Sequence, residues 1–421
     1  MKTPEIKEIK KINYPQYEKI FLDNGIPVIF INSQDTEAFR LDIVFQAGRY
    51  FESFPVAAKV TANLLKEGTS KMASKEIAEY IDYRGANIST NSGMDTAYIQ
   101  ANFLNRYFKE IVNILFQIIS EPAFPENELE KFKVRQIERL KNDLSKNDVL
   151  AFRHFTEHIF GKNHPYGYSS TVENYQQINR KHLYEHYSNF YSADKCKIYL
   201  TGNIDNSHIQ FLNNSFGKIS NIKGKHDEVK ILLGEPEFGK FRYSNDRIHQ
   251  TALRIGKKMI TRDNPDYPGL YFLNTVLGGY FGARLSENIR EDKGYTYGIY
   301  STLDSLYHEG YFIIGSDVGN IYLDDTLKEI YKEIEILKND LIENDEMMLV
   351  RNYLKGNLLS MTNGNLLSLN LVKTLEYNNL GKSYFDKFVN IIDSISASEL
   401  RDLAIKYFNI DSLTEVLVGH F

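Results

Sequence analysis

The 421-residue chain contains no tryptophan and a single cysteine, Cys196. One cysteine excludes an internal disulfide, and its place in the strand pattern Cys-Lys-Ile-Tyr-Leu-Thr-Gly predicts a small buried hydrophobic side chain. The chain has no basic block, and its formal net charge is -5, which argues against nucleic acid as a partner. No apolar run approaches the length of a membrane span.

The first eight residues, Met-Lys-Thr-Pro-Glu-Ile-Lys-Glu, contain no apolar segment of the kind found in secretory signal peptides. This predicts a cytoplasmic protein for the sequence as given. Loss of a leader from the natural N-terminus would instead place the protein in the periplasm.

The composition is 42% hydrophobic and 25% charged, as in globular proteins, and 29 tyrosines with 26 phenylalanines predict heavy aromatic packing. Apolar periodicity fades between Gly217 and Gly239, and a similar pattern then begins again: His249–Gly256 parallels Leu41–Gly48. We therefore predict two α/β units of similar size, residues 1–222 and 240–421, joined by a linker over residues 223–239.

One stretch of the first unit has the context of a protease but not its chemistry. Lys59-Val-Thr-Ala62-Asn63-Leu-Leu-Lys-Glu-Gly68-Thr69 follows a strand-like run and predicts a helix that ends at Gly68. The segment resembles the first helix of the M16 (pitrilysin-type, inverted zincin) peptidases, which carries His-x-x-Glu-His followed by Lys-Gly-Thr. Lys59, Ala62 and Asn63 stand where that family has its first His, the Glu and the second His.

Two histidines at i and i+4 share one helix face and can bind one zinc ion, and the glutamate between them can act as a base. A lysine, an alanine and an asparagine can do neither, so we predict that this chain binds no metal. The resemblance places the family's third ligand, a glutamate, near Glu138. A carboxylate there could face the Lys59 ammonium, although Arg139 could equally take the inward position.

A second motif of the family is present. Gly278, Gly279 and Gly282 form a glycine-rich loop, and Asn-Ile-Arg290-Glu-Asp-Lys-Gly-Tyr-Thr-Tyr297 follows it. This resembles the C-terminal M16 signature Arg-Glu-Lys-x-Gly-x-x-Tyr, in which the arginine and tyrosine bind the substrate backbone and the developing oxyanion. The resemblance assigns those two roles to Arg290 and Tyr297.

His154-Phe-Thr-Glu157-His158 is literally His-x-x-Glu-His and offers an alternative zinc site, with Glu235 or Glu237 as a third ligand. The strand before it and the Gly-Thr after it are absent, which favours ordinary residues of a later helix. His182 and His186 also lie four residues apart, and with no third ligand evident they predict a surface face.

The resemblance covers nearly the whole chain and implies an α+β fold of two homologous α/β sandwich domains that form half of a clamshell. We expect the non-catalytic subunit of a two-chain M16 peptidase, as in mitochondrial processing peptidase and related bacterial heterodimers. The partner would carry His-x-x-Glu-His with its zinc, and extended peptides would be the substrates. One alternative is a structural or peptide-binding protein, like the M16-like core proteins of respiratory complexes. The other is an autonomous zinc protease that uses His154, Glu157 and His158.

Overall fold

The computed structural model describes residue 9 and residues 11–34, 36–221, 236–245 and 250–420. The predicted linker, residues 223–239, therefore lies outside the described residues except for its last four. The strands are β1 (Glu18–Phe21), β2 (Pro27–Asn32), β3 (Ala38–Phe45), β4 (Asn87–Ser92), β5 (Ala97–Leu104), β6 (Cys196–Gly202), β7 (Lys240–Ser244), β8 (Gln250–Met259), β9 (Thr296–Ser305), β10 (Gly310–Gly319) and β11 (Thr414–Gly419).

The helices largely follow the apolar periodicity of the sequence. They are α1 (Ala57–Leu64), α2 (Ser74–Asp82), α3 (Phe108–Ser120), α4 (Glu126–Asp143), α5 (Asn147–Phe160), α6 (Val172–Gln177), α7 (Arg180–Phe190), α8 (Asn206–Ser215), α9 (Tyr267–Gly278), α10 (Leu323–Asn339), α11 (Asn344–Met361), α12 (Asn365–Tyr377), α13 (Lys382–Ser394) and α14 (Ala397–Tyr407). Within the described ranges, no helix combines the length and apolar character needed to cross a bilayer.

Two sheets with the same topology organise the chain. The first has the strand order β1-β2-β6-β3-β5-β4, and the second has the order β7-β11-β8-β10-β9. Without β1 the two orders correspond strand for strand, including the one parallel pair in each sheet, β2 with β6 and β7 with β11. The predicted equivalence of the strands near Leu41 and Gln250 is confirmed, since β3 and β8 occupy the same position in their sheets.

Each sheet covers one face with helices of its own half. The first core includes residues of α1, α3, α7 and α8 against the first sheet, and the second includes residues of α9, α10, α11 and α14 against the second sheet. Cys196 lies in the first core and is 3% exposed, which confirms the prediction of a buried hydrophobic side chain. Burial raises the pKa of its thiol.

The opposite face of each sheet is covered by a helix from the other half. Helix α5 packs on β8 and β11 of the second sheet, and α12 packs on the first sheet through Leu369, Val372 and Leu375. Polar side chains fix the α12 contact: Asp42 on β3 accepts hydrogen bonds from Lys373 at 2.6 Å and from Arg40 at 2.7 Å. The two halves thus exchange helices, because each sheet has two apolar faces to cover.

Candidate functional site

The loop before α1 is fixed by the side chain of Glu52. Its carboxylate accepts hydrogen bonds from the backbone N–H groups of Val56 (3.2 Å) and Ala58 (2.9 Å) and from the Tyr168 hydroxyl. Val56, the residue before the helix, has a φ of +68°, which is uncommon for a β-branched residue. Burial raises the pKa of Glu52 to about 7, opposed by these backbone donors and by Arg49. The hydrogen bonds of Glu52 therefore fix the position of the first residues of α1.

The three positions of the lost zinc motif have different environments. Lys59 donates a hydrogen bond to the Tyr175 hydroxyl at 3.3 Å, and the Asn63 side chain folds back to the carbonyl of Lys59 at 2.8 Å. Ala62 is 1% exposed and belongs to the first hydrophobic core. Desolvation, and next the charge of Arg139, lowers the pKa of Lys59. None of these three side chains offers a zinc ligand of the family's type or a proton acceptor for water.

The hypothesis of an ion pair between Lys59 and a carboxylate is wrong. The Glu138 carboxylate accepts a hydrogen bond of 3.0 Å from Lys141, one helical turn further along α4. The Glu138 side chain is 68% exposed. No carboxylate oxygen of a described residue lies within 4.0 Å of Lys59 Nζ, whereas the Arg139 charge acts on it. The rotational phase of α4 decides this, since adjacent residues of a helix point about 100° apart.

The alternative zinc motif is used for packing between α5 and β7. His154 stacks on Tyr243 with 3.8 Å between ring centres, and His158 stacks on Phe241 at 3.6 Å. The two ring nitrogens of His158 contact Glu237 and the Tyr243 hydroxyl, both at 2.8 Å. Glu237, one of the two third ligands considered, is thus a hydrogen-bond partner of His158, and Glu235 lies outside the described residues.

Across the described ranges, no group of three His, Cys, Asp or Glu side chains is arranged to hold a metal ion. The His182 and His186 pair was predicted to form a surface face, and this is wrong for His186. Its ring is 1% exposed, and Nε2 donates a hydrogen bond to the carbonyl of Ala47 at 3.0 Å. Burial lowers the pKa of His186 to about 4. His182 stacks on Phe54 instead.

Tyr297 lies near the start of β9, an edge strand of the second sheet. A β-bulge in the pairing with β10 sets its orientation: Ile299 pairs with Ser316 and Thr296 pairs with Val318, so β9 contains one extra residue. A bulge re-aims side chains, and the Tyr297 side chain is 92% exposed. Its hydroxyl has no hydrogen-bond partner among the residues that the structure describes.

Hydrogen bonds of two hydroxyl side chains hold this bulge. Thr296 Oγ1 donates to the carbonyl of Asp317 at 2.7 Å, and it also accepts from the N–H of Gly298 at 3.2 Å. Ser316 Oγ donates to the carbonyl of Gly298 at 2.8 Å. We did not identify Thr296 or Ser316 from the sequence, although a glycine inside a strand pattern, here Gly298, is a known signal for a bulge.

Arg290 lies in a π-helical turn, Ser286–Asp292, directly after the glycine-rich segment. Its guanidinium carbon is 4.1 Å from the ring centre of Phe281, which is 69% exposed, and Nη2 is 3.4 Å from the carboxylate of Glu291. A cation over an aromatic face is held in place without losing its outward hydrogen-bond donors. Phe281 is a further site residue that the sequence did not indicate.

The three glycines of the glycine-rich segment allow close packing, which is a more specific role than making a loop flexible. Gly278 is the last residue of α9, and a Cβ there would lie 2.6 Å from the backbone nitrogen of Ser301 on β9. At Gly279 a Cβ would lie 2.7 Å from the Cα of Thr275, and at Gly282 it would lie 3.1 Å from the ring of Tyr280. Glycine thus allows α9 to approach the strand that carries Tyr297.

Arg290 and Tyr297 line one open cavity of 710 Å³, together with Phe281, Tyr300 and Asp317. Desolvation raises the pKa of Asp317, opposed by Arg254. The cavity offers a guanidinium and a phenol to a bound molecule, beside exposed aromatic rings. The second half of the chain therefore presents an accessible arginine and tyrosine. In the first half, the described side chains at the zinc-motif positions of α1 offer no metal ligands of the family's type.

Two sandwich halves with one topology, a zinc-motif helix without ligands and an arginine–tyrosine pair define a non-catalytic chain of the metallopeptidase type. Family profiles agree: residues 28–170 match "Insulinase (Peptidase family M16)", and residues 177–354 match "Peptidase M16 inactive domain". The chain belongs to the M16 family and is a non-catalytic member of it. The predicted family and fold class are confirmed.

Its relatives bear mixed descriptions. It is 25% identical to an "Uncharacterized zinc protease YmxG" of Bacillus subtilis, over 92% of this chain and 95% of that one. It is 23% identical to a "Non-peptidase homolog YmxG" of Helicobacter pylori, over 86% and 84%. A solved peptidase M16 inactive domain from Pseudomonas fluorescens has a TM-score of 0.85 and 23% identity, with 96% of this chain and 98% of that chain covered.

Proposed function

We propose that this chain supplies Arg290 and Tyr297 to the active site of a separate M16 subunit, which carries the His-x-x-Glu-His motif and its zinc. The substrate is an extended, unfolded peptide. The observation that carries the proposal is the orientation of Tyr297: a bulge turns a phenol out of the edge of a sheet and leaves its hydroxyl without a partner in the described chain.

The exposure of Tyr297 lowers the stability of the fold, and this supports a functional role for the side chain. A tyrosine that packed on the sheet would bury a large apolar area, which stabilises a fold, and Tyr297 gives up this contribution. Among the described residues, Arg290 makes only a 3.4 Å contact with Glu291 and a stacking contact with Phe281. Both side chains thus have donors available for a substrate carbonyl or an oxyanion, the charges that such donors stabilise best.

The contrast between the halves supports a division of labour between two chains. The helix that would bind zinc has Lys59, Ala62 and Asn63, so cleavage requires a metal centre from elsewhere. The strand that carries Tyr297 is an edge strand, beside which an extended peptide can run. A substrate held in this way between two subunits is excluded from water on both sides.

The test is peptide turnover by a reconstituted pair. Co-purification with the tagged chain from the native host identifies the subunit with His-x-x-Glu-His, and both chains are then prepared separately. We expect each chain alone to be inactive and the mixture to cleave unfolded peptides. Tyr297→Phe removes only the hydroxyl, and loss of one oxyanion donor lowers kcat about 10²–10³-fold. Arg290→Ala should lower turnover at least as much and weaken substrate binding.

Tyr322→Phe provides the control, because it removes the hydroxyl of a second exposed tyrosine, 39% exposed, in the same half of the chain. Its turnover should equal that of the wild type. Full activity of the Arg290→Ala/Tyr297→Phe double variant, with assembly intact by gel filtration, would rule out the proposal. The chain would then be a scaffold or a peptide-binding protein.

A further inference from the structure

The helices of the second half enclose a second, unrelated cavity. It has a volume of 130 Å³ and lies between α9, α11, α12 and α13. Its walls are mainly aromatic and aliphatic, and the residues that line it include Tyr267, Tyr271, Tyr384, Phe385 and Phe388. An apolar cavity of about 150 Å³ is known to stay dry and to bind benzene, so this volume holds one six-membered aromatic ring.

One charged side chain lines the same cavity. Arg262 follows β8, and its Nε is inaccessible to solvent without a hydrogen-bond partner in the described chain. No carboxylate oxygen of a described residue lies within 4.0 Å of its guanidinium nitrogens. The two terminal guanidinium nitrogens are not among the solvent-inaccessible atoms and have no hydrogen-bond partner among the described residues, so they are the donors that a ligand can reach.

The surroundings of Arg262 define where an anion would lie. The guanidinium carbon of Arg262 lies 5.8 Å from the ring centre of Tyr267, and Tyr271 and Tyr384 line the same cavity. The flexible side chain of Met361, 45% exposed, lies at the same cavity and can move to admit a ligand. The cavity thus combines an apolar, ring-sized interior with one unpaired cation.

We propose that this cavity binds a small aromatic monocarboxylate, with the ring among the tyrosine and phenylalanine side chains and the carboxylate on Arg262. An aromatic ring suits these walls because offset and edge-to-face contacts between rings are favourable. A guanidinium binds a carboxylate through parallel N–H donors, which here are those of its two terminal nitrogens. The site is distinct from the cavity of Arg290 and Tyr297 and does not depend on the proposed function.

A ligand in this position would act on the junction of the two halves. Leu371, Leu375 and Phe385 line the cavity, and the same three side chains belong to the hydrophobic cluster that joins α12 and α13 to the first sheet. Filling the cavity adds dispersion contacts to these helices. The bound ligand therefore stabilises the packing of the exchanged helix α12.

Phenylacetate is the probe, with acetate and toluene as its separate polar and apolar parts. We expect isothermal titration to give a Kd of about 100 μM for phenylacetate, from the affinity that ten non-hydrogen atoms support. A concentration of about 100 times that Kd should raise the Tm by a few degrees. Acetate should have no effect, and toluene should bind at least tenfold more weakly than phenylacetate.

Two variants test the position. Arg262→Met keeps an apolar stem and should weaken phenylacetate binding at least about tenfold without changing toluene binding. Leu358→Phe adds volume at the cavity wall and should abolish binding of both. If Leu358→Phe does not fold, Arg262→Met decides alone. Lys387→Met, which removes an exposed charge from α13, is the matched control and should bind phenylacetate like the wild type.

The proposal is overturned if phenylacetate neither binds nor shifts the Tm of the wild type. It is also overturned if Arg262→Met binds phenylacetate as tightly as the wild type does, because the carboxylate then does not contact Arg262. Equal binding of toluene and phenylacetate would likewise show an apolar cavity without selection for an anion.

Discussion

The ammonium nitrogen of Lys59 lies 3.3 Å from the hydroxyl oxygen of Tyr175, at the helix position where M16 peptidases have their first zinc-binding histidine. The lysine is desolvated, and no carboxylate of the described chain lies within 4.0 Å of it. A neutral phenol is a weak counterpart for an ammonium group. The position has therefore lost its metal ligand without acquiring an ion pair in its place.

We predict that Lys59→Met leaves the free energy of unfolding at pH 7 unchanged or raises it by up to about 1 kcal/mol. Its charge is disfavoured by burial and repelled by Arg139, and methionine keeps most of the apolar contacts. Chemical denaturation of the two proteins measures the difference. Lys66→Met, seven residues further along the chain, is the comparison, and a loss of 2 kcal/mol or more only at Lys59 would disprove the prediction.

The purified chain should bind no stoichiometric zinc. Lys59, Ala62 and Asn63 offer no ligand set, and both ring nitrogens of His158 are engaged by Glu237 and Tyr243. Elemental analysis after dialysis against micromolar zinc provides the measurement. One zinc ion per chain that disappears in His158→Ala would contradict the prediction and would restore the alternative motif as a metal site.

Acid should destabilise the protein through His186. The folded pKa is about 4 against an ordinary value of 6.5, so the unfolded chain binds the extra proton between these two pH values. The free energy of unfolding therefore falls as the pH is lowered through this window, by about 3 kcal/mol from this group. Urea denaturation between pH 7 and pH 4 should show a smaller slope for His186→Gln than for the wild type. His182→Gln should keep the wild-type slope, and an unchanged slope in His186→Gln would refute the assignment.

The contact between Asp42 and Lys373 should be important for the exchanged position of α12. Asp42 is 1% exposed, and Asp42→Ala leaves Arg40 and Lys373 without their shared carboxylate. Breaking a buried pair in this way costs about 3–5 kcal/mol, which thermal or chemical denaturation would detect. Lys382→Met breaks the exposed pair with Asp386 on α13 and should cost less than about 0.5 kcal/mol. Similar losses in the two variants would show that the Asp42 contact is not special.

Thr296→Val should loosen the bulge that orients Tyr297. Valine keeps the shape of threonine but loses the hydroxyl that bonds Asp317 and Gly298. We expect faster hydrogen exchange over residues 296–300 in the isolated chain, and about tenfold lower turnover in the reconstituted pair. Thr302→Val, on the same strand, is the control and should exchange like the wild type. Unchanged exchange in Thr296→Val would show that other contacts hold the bulge.

Features that depend on residues close together in the sequence were predicted well, and features that depend on distant residues were not. The apolar periodicity predicts helices over residues 180–190 and 104–120. Helix α7 has the predicted bounds, and α3 begins four residues later than predicted because residues 105–107 form a 3₁₀ turn. The pair Asn24-Gly25 predicts a tight turn between two strands, and it forms the turn between β1 and β2, with a φ of +88° at Gly25. These features depend on neighbouring residues. Glu138 and His186 were misjudged, because their burial depends on which face of a helix the rest of the chain covers.

By itself, the sequence determined that the zinc chemistry is lost, because ligand identity is a property of the residue types at i, i+3 and i+4 of one helix. It also determined the family and the repeated pattern of two units. Only the tertiary structure decided that Tyr297 points outward, because a bulge exists only in the register between β9 and β10. It also decided that α5 and α12 cover each other's sheets, because an apolar helix face does not specify which sheet it packs against.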